Sequence, residues 1–341
     1  MKYLKSSALT CLMGILLIGL STDAFAQNQK AAFEAYNKAL ELAKSGQYEQ
    51  AINMFNQAIS NAEELGEEGK DIIQRSQKQL PSVHYQMSLA AYRTFQQEKS
   101  ISSLEETINS FQETGQVAEE LGNTEIVDKT GQVITQLLYT KSLLQFQTEN
   151  YDESLASLDQ AISRNPNYAK AYYQKGIVAK RQEGNSLDEV LGYFDKAIEI
   201  GNKTNDVQTV RNAKEAASEE LLYNGALKIN EEQKFDEAVS LLKRALEYDP
   251  SSADIYYRLA EAYNKQALWD SAIEHANKAL ELESGGRTDL AKIYFELGLA
   301  YQNKGNKKQA CGAYENAAYG SFKAPAEHQM EFELECKSTT N

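Results

Sequence analysis

The chain has 341 residues, a quarter of them charged, and a net charge of −14. A polyanion of this strength is repelled by nucleic acid and by anionic lipid, which argues against both as partners. Its acids serve as the solvated faces of helices or as complements to a cationic partner.

The N-terminus carries Lys2 and Lys5, then a nearly uninterrupted apolar run from Ala8 to Leu20, then the small-x-small triplet Ala24-Phe25-Ala26. This is the pattern of a secretory signal peptide, residues 1–26, cut between Ala26 and Gln27. The run falls short of the roughly 20 apolar residues that a membrane anchor needs. Cys11 lies inside the run and follows Thr10, which disfavours lipid attachment there. No later segment is apolar enough to span a bilayer, so the expectation is an exported protein with no membrane span after cleavage.

From residue 29 onward, an aromatic residue followed three positions later by a small one returns along the chain: Tyr36/Ala39, Tyr85/Ser88, Tyr139/Ser142, Tyr173/Gly176, Tyr223/Ala226, Tyr257/Ala260 and Phe295/Gly298. Most are followed by a segment with small residues seven apart, as in Ala51/Ala58, Ser154/Ala161, Ala238/Ala245, Ala272/Ala279 and Ala310/Ala317. Recurrence on this scale predicts an all-α stack of helix pairs over residues 27–320. The small positions are steric: two antiparallel helices approach closely only where the side chains at their crossing are tiny.

Three of the spacings carry about 15 to 20 extra residues, at Ala62–Leu80, Gln116–Leu137 and Gly201–Glu219. Shared between outgoing and incoming helices, each insert lengthens both by roughly two to three turns. Pro81 is then expected in a first turn, where proline is tolerated. The second pair has Ser100 and Thr107 in place of alanines and is expected to pack most loosely.

Residues 321–341 read as a terminal helix, Ala326 to Cys336 with Met330, Phe332 and Leu334 on it, and a frayed polar tail from Lys337 to Asn341. The cysteines left after export, Cys311 and Cys336, form either a disulfide that clamps this cap to the last pair or two buried thiols.

Tyr294, Leu297, Gly298, Tyr301, Ala310, Tyr314 and Ala317 match, residue by residue, the pattern of the tetratricopeptide repeat. One unit earlier Tyr256, Leu259, Ala260, Tyr263, Ala272 and Ala279 do the same, and Pro166 and Pro250 stand as closing prolines. The chain resembles that family over essentially all of 29–320. The resemblance implies a right-handed superhelical solenoid of about seven antiparallel helix pairs, three with lengthened helices, plus the C-terminal capping helix. The chain also resembles the secreted repeat proteins of Gram-negative bacteria, which implies the periplasm.

In that family the first helices line a concave groove. The row here is Tyr36, Tyr85, Tyr139, Tyr173, Tyr223, Tyr257 and Phe295, which reads either as a ladder for a peptide or helix or as packing aromatics. Asn224 and Arg258 match positions of the family's carboxylate clamp, but Asp254 stands where a lysine belongs, so the clamp is not expected. Catalysis finds no foothold: His84, His275 and His328 have no metal or triad spacing, and Gly201-Asn202-Lys203-Thr204 lacks the upstream glycine of a phosphate loop. No catalytic residue, metal or cofactor is expected. The expected function is a non-catalytic adaptor that binds a protein or peptide in the cell envelope through Tyr85, Tyr139, Tyr173, Tyr223, Asn224, Tyr257, Arg258 and Phe295. The alternative is a glycan- or peptidoglycan-binding module using the same aromatic row.

Overall fold

The computed structural model describes the chain from residue 7 to residue 336, with side chains from residue 25. The expected export signal therefore lies outside the described residues in 1–6 and in its side chains through 24, and the tail 337–341 lies outside them as well. Among the described residues every regular element is a helix, and no helix is long and apolar enough to cross a membrane.

The chain divides into two compact units, one up to Pro166 and one from Asn167. In the first, α1 (Ser7–Lys44) packs on α2 (Tyr48–Glu63), α3 (Lys70–Glu98) on α4 (Ile101–Glu120), and α5 (Thr124–Gln147) on α6 (Tyr151–Arg164). In the second, α7 (Ala169–Arg181) packs on α8 (Leu187–Thr204), α9 (Val207–Asn230) on α10 (Phe235–Tyr248), α11 (Ala253–Lys265) on α12 (Trp269–Leu282), and α13 (Arg287–Asn303) on α14 (Lys307–Ala317). Short turns join the partners, which makes each pair antiparallel. α6 and α10 stop at caps Asn165 and Asp249, immediately before Pro166 and Pro250, because a residue ahead of proline avoids the helical region.

The small residues sit where helices cross. Ala272, Ala276 and Ala279 of α12 are wholly buried, and Ala279 seats Ile293 and Leu297 of the next first helix. A Cβ added to Gly176 would lie 2.5 Å from the Phe194 ring, and one added to Gly298 would lie 2.8 Å from the Tyr314 ring. Both contacts are closer than a methyl group tolerates, so these positions need glycine for space.

The inserts are not shared evenly between helices. Most of the added length falls on the incoming helix: α3 has 29 residues and α5 and α9 have 24 each, against 13 in α7 and α11. The reason is burial. The N-terminal part of α3 packs Ile72 against Ala32, Ala58 and Ala62, while Leu80 and Val83 meet Phe55 and lean on Val117 and Leu121. Pro81, expected in a first turn, instead lies deep inside α3 and is buried. Proline there removes one ladder bond, and the apolar contacts of the flanking residues hold the helix across the gap.

The second pair is also better satisfied than its composition suggests. Ser88 Oγ lies 2.9 Å from Ser110 and 2.8 Å from Thr114, and Thr107 donates to the Ser103 carbonyl at 2.8 Å. Ser100 is not a packing residue at all; its hydroxyl caps α4 by accepting from the Ser103 N–H. The loose region lies beside this crossing, where a cavity of about 250 Å³ opens between α3, α4 and α5, lined by Leu89, Tyr92, Phe95, Phe111 and Leu137.

After α14 comes a tight turn, Gly320–Phe322, then α15 (Lys323–His328) and a wider helical turn, Gln329–Glu333. This terminal segment starts earlier than the expected Ala326. Ala326 is buried against Ala310, Tyr314 and Ala317, with Met330 and Leu334 packed beside it. Phe332, expected on the apolar face, is 67% exposed and stacks on His328. Cys311 and Cys336 are joined by a disulfide with their Cα atoms 5.8 Å apart.

Candidate functional site

Within each unit the first helices lie side by side and present one face. The aromatic row falls on it, but its members do different work. Tyr36 meets Phe55 edge to face at 5.8 Å, and Tyr85 meets Phe111 in the same way at 5.8 Å. Tyr173 leans on Phe194 at 6.0 Å, and Phe295 on Tyr314 at 5.5 Å. In each case the ring fills the gap above the small residue of its own pair and touches the large residue of the second helix. Tyr139 is half-buried on α5. These rings are half-buried packing elements.

In the second unit the face becomes a pocket of about 410 Å³, lined by Glu219, Leu222, Tyr223 and Ala226 of α9, Asp254, Tyr257 and Arg258 of α11, Lys292 of α13, and Phe322. Tyr223 is 65% exposed, whereas Tyr257 is only 9% exposed. The contrast has a geometric cause. The residue at the α9–α10 crossing is Gly225, whose Cβ would lie 2.9 Å from Leu242, and not Ala226. α9 is therefore one residue out of the phase that the aromatic-to-small spacing predicts. Leu222, not Tyr223, is the counterpart of Tyr257; Tyr223 takes the place that Arg258 holds on α11; and Glu219 matches Asp254.

The same shift moves Asn224. Its side-chain amide donates to the Glu220 carbonyl at 2.8 Å, one turn back along α9, and does not line the pocket. Glu220 in turn pairs with Lys180 at 2.6 Å. Asn224 therefore does not join Arg258 in the pocket, contrary to what the family resemblance implied.

Around Tyr257 the electrostatics are nearly balanced. Arg258 and Lys292 lie 5.1 and 5.2 Å from its ring centre, each in cation–π range. Arg258 is tied to Glu261 at 2.6 Å, and Lys292 to Asp254 at 2.6 Å. Burial raises the Tyr257 phenol above its ordinary value, and Glu261 adds to the shift. One turn beyond Lys292 on α13, burial pushes the Glu296 carboxyl up to about 7, although Asn264 donates to it at 2.7 Å and pulls the other way.

The pocket thus offers exposed aromatic surface, two anchored cations and the carboxylates of Glu219 and Asp254. Such a set accommodates an apolar or aromatic side chain flanked by polar backbone. Among the described residues no cluster of three His, Cys, Asp or Glu side chains could hold a metal ion. Of this lining the sequence pattern names Tyr223, Tyr257 and Arg258 as site residues; it does not name Glu219, Leu222, Lys292 or Phe322, and Phe322 comes from the turn after α14 and belongs to no repeat.

Models described as tetratricopeptide repeat match residues 139–203, 230–292, and 35–64 with 291–319. No curated protein is significantly similar in sequence. Similar solved structures include the C-terminal part of a TPR repeat-containing protein from Cytophaga hutchinsonii, at 14% identity and TM-score 0.41, covering 85% of this chain and 98% of that one. MamA from Desulfovibrio magneticus RS-1 is 20% identical with TM-score 0.35, covering 60% of this chain and 97% of its own. YrrB, titled a TPR protein with an unusual peptide-binding site, is 18% identical with TM-score 0.35, covering 57% and 91%. The matched segments together span more than half of the sequence, and the crossings at Gly176, Gly298 and Ala279 carry the packing that the repeat pattern demands: this chain belongs to the tetratricopeptide repeat family.

Proposed function

We propose that the protein is a non-catalytic interaction scaffold of the bacterial cell envelope, exported and processed at Ala26–Gln27, which holds a peptide or protein segment on the face of α9, α11 and α13. The observation that carries this reading is Tyr223, a large aromatic left 65% exposed on the rim of a pocket that also contains Tyr257, Arg258 and Lys292. Exposed aromatics beside anchored cations are the composition of binding hot spots. The ion pairs Arg258–Glu261 and Lys292–Asp254 keep the polar rim fixed, so a ligand meets a preorganised surface. Export rests on the charged start, short apolar run and small-residue triplet of residues 1–26.

A photo-crosslinking amino acid placed at Tyr223, and separately at Lys278 on the second-helix side, tests the site in intact cells. Discrete adducts from position 223 and none from 278 are expected. Equal labelling from both, or none from 223, overturns the assignment of the face. Cell fractionation with N-terminal sequencing tests the location: a soluble envelope form beginning at Gln27 is expected, and an unprocessed cytoplasmic chain overturns export.

A further inference from the structure

The segment after α14 does more than close the stack. Phe322 packs its ring on Phe295 at 5.5 Å and forms a wall of the pocket facing Tyr223 and Tyr257. The turn that carries it is held from both sides. Upstream, Arg287 lies 5.4 Å from the Tyr319 ring. Downstream, Ala326 is wholly buried on α14, Gln302 donates to Gln329 at 2.9 Å, and the Cys311–Cys336 disulfide ties the far end covalently. α15 has only six residues, far too few to hold a helix by itself, so these tethers set where Phe322 stands.

We propose that Phe322 is a ligand-contacting residue of this pocket and that the Cys311–Cys336 bond is the latch that keeps it in place, so that the pocket's grip on an aromatic or branched apolar side chain depends on the redox state of that bond. This rests on the reading of the pocket as the partner site. The reductant is a dithiol. Its thiolate attacks one sulfur, forming a mixed disulfide and releasing the other cysteine as a thiol; its second thiol then closes the reductant's own disulfide and frees the remaining cysteine. Two electrons and two protons pass from the dithiol to the protein. The 25-residue loop is thereby opened, and the segment from Lys323 onward keeps only non-covalent contacts.

The test uses 1-anilinonaphthalene-8-sulfonate, whose rings suit the aromatic wall and whose sulfonate suits Arg258 and Lys292. It is titrated onto the purified protein, oxidised or treated with dithiothreitol, and onto Phe322→Ala, Tyr223→Ala, Arg258→Ala and a Cys311→Ser/Cys336→Ser variant. Reduction, the double serine variant and Phe322→Ala should each weaken the probe roughly tenfold, the scale of one lost aromatic contact, and reduction should add nothing to Phe322→Ala. If Phe322→Ala and Tyr223→Ala weaken the probe but reduction does not, the latch is wrong and the pocket stands. If Tyr223→Ala and Arg258→Ala leave the affinity unchanged, the pocket reading fails and takes the latch with it. Hydrogen exchange supplies a readout independent of any probe: reduction should speed exchange across 318–334 and leave 169–181 as it was. Unchanged exchange at 318–334 overturns the latch by itself.

Discussion

At the scale of the residue, the molecule depends on small side chains that a single methyl group would disturb. Tyr314 is wholly buried against Gly298, held by Phe295 on one side and by its hydrogen bond to Gln302 at 2.7 Å. Gly298→Ala gains helix propensity but drives a Cβ into that ring, and the overpacking wins; the expected cost is about 1–2 kcal/mol, read from urea unfolding. Glu296 is a second residue-scale case. Its folded-state pKa of about 7 stands above the ordinary 4.5, so the folded protein binds the extra proton between those values. Its contribution to stability is complete below pH 4.5 and is lost as pH rises through about 7. Glu296→Gln keeps the bond acceptor for Asn264 and removes the charge. The variant should therefore lose less stability than the parent between pH 4.5 and about 7, the window those values bracket, in parallel thermal melts. Identical slopes would remove Glu296 from the account.

The first and second helices fall where the aromatic-to-small and seven-residue spacings put them, because both spacings are properties of one helix face. The three inserts were legible as helical, but their division was not, since it follows from which flanking residues find a buried partner. α3 absorbs its insert by packing Ile72, Leu80 and Val83, and it carries Pro81 in its middle as a consequence. Pro81→Ala restores a ladder donor to the Gln77 carbonyl and removes the ring clash. The expected effect is a gain of about 1–3 kcal/mol, visible as a higher melting temperature. An unchanged or lower melting temperature would show that the proline is accommodated without cost. On α9 the one-residue offset at Gly225 had no warning in the spacing, because Gly225 and Ala226 are both small. Only the contact with Leu242 distinguishes them.

For the molecule as a whole, each helix pair is stabilised mainly by its sequence neighbours, so damage should stay local. Phe194 is wholly buried between α8 and Gly176, with Tyr173 leaning on it. Phe194→Ala should cost about 3–5 kcal/mol at that pair. Hydrogen exchange should accelerate across α7 and α8 while α13 and α14 keep their protection. Uniform acceleration over the second unit would mean that it unfolds as one cooperative block. The disulfide acts on a similarly limited region, closing a 25-residue loop around α14 and the terminal segment.

The sequence alone determined that the chain is helical, that its helices come in pairs and, apart from Ser100 and the Gly225–Ala226 step, which positions are small. Those are short-range requirements repeated along the chain, and each repeat states them again. The tertiary structure decided which aromatics pack and which line the pocket. A shift of one residue turns a side chain by about 100° around its helix, so Tyr223 and Leu222 exchange roles without any change in composition. It also decided the last wall of the pocket. Phe322 meets Phe295 and lines the pocket only because the chain turns back after α14, and no periodic signal records a return contact made once.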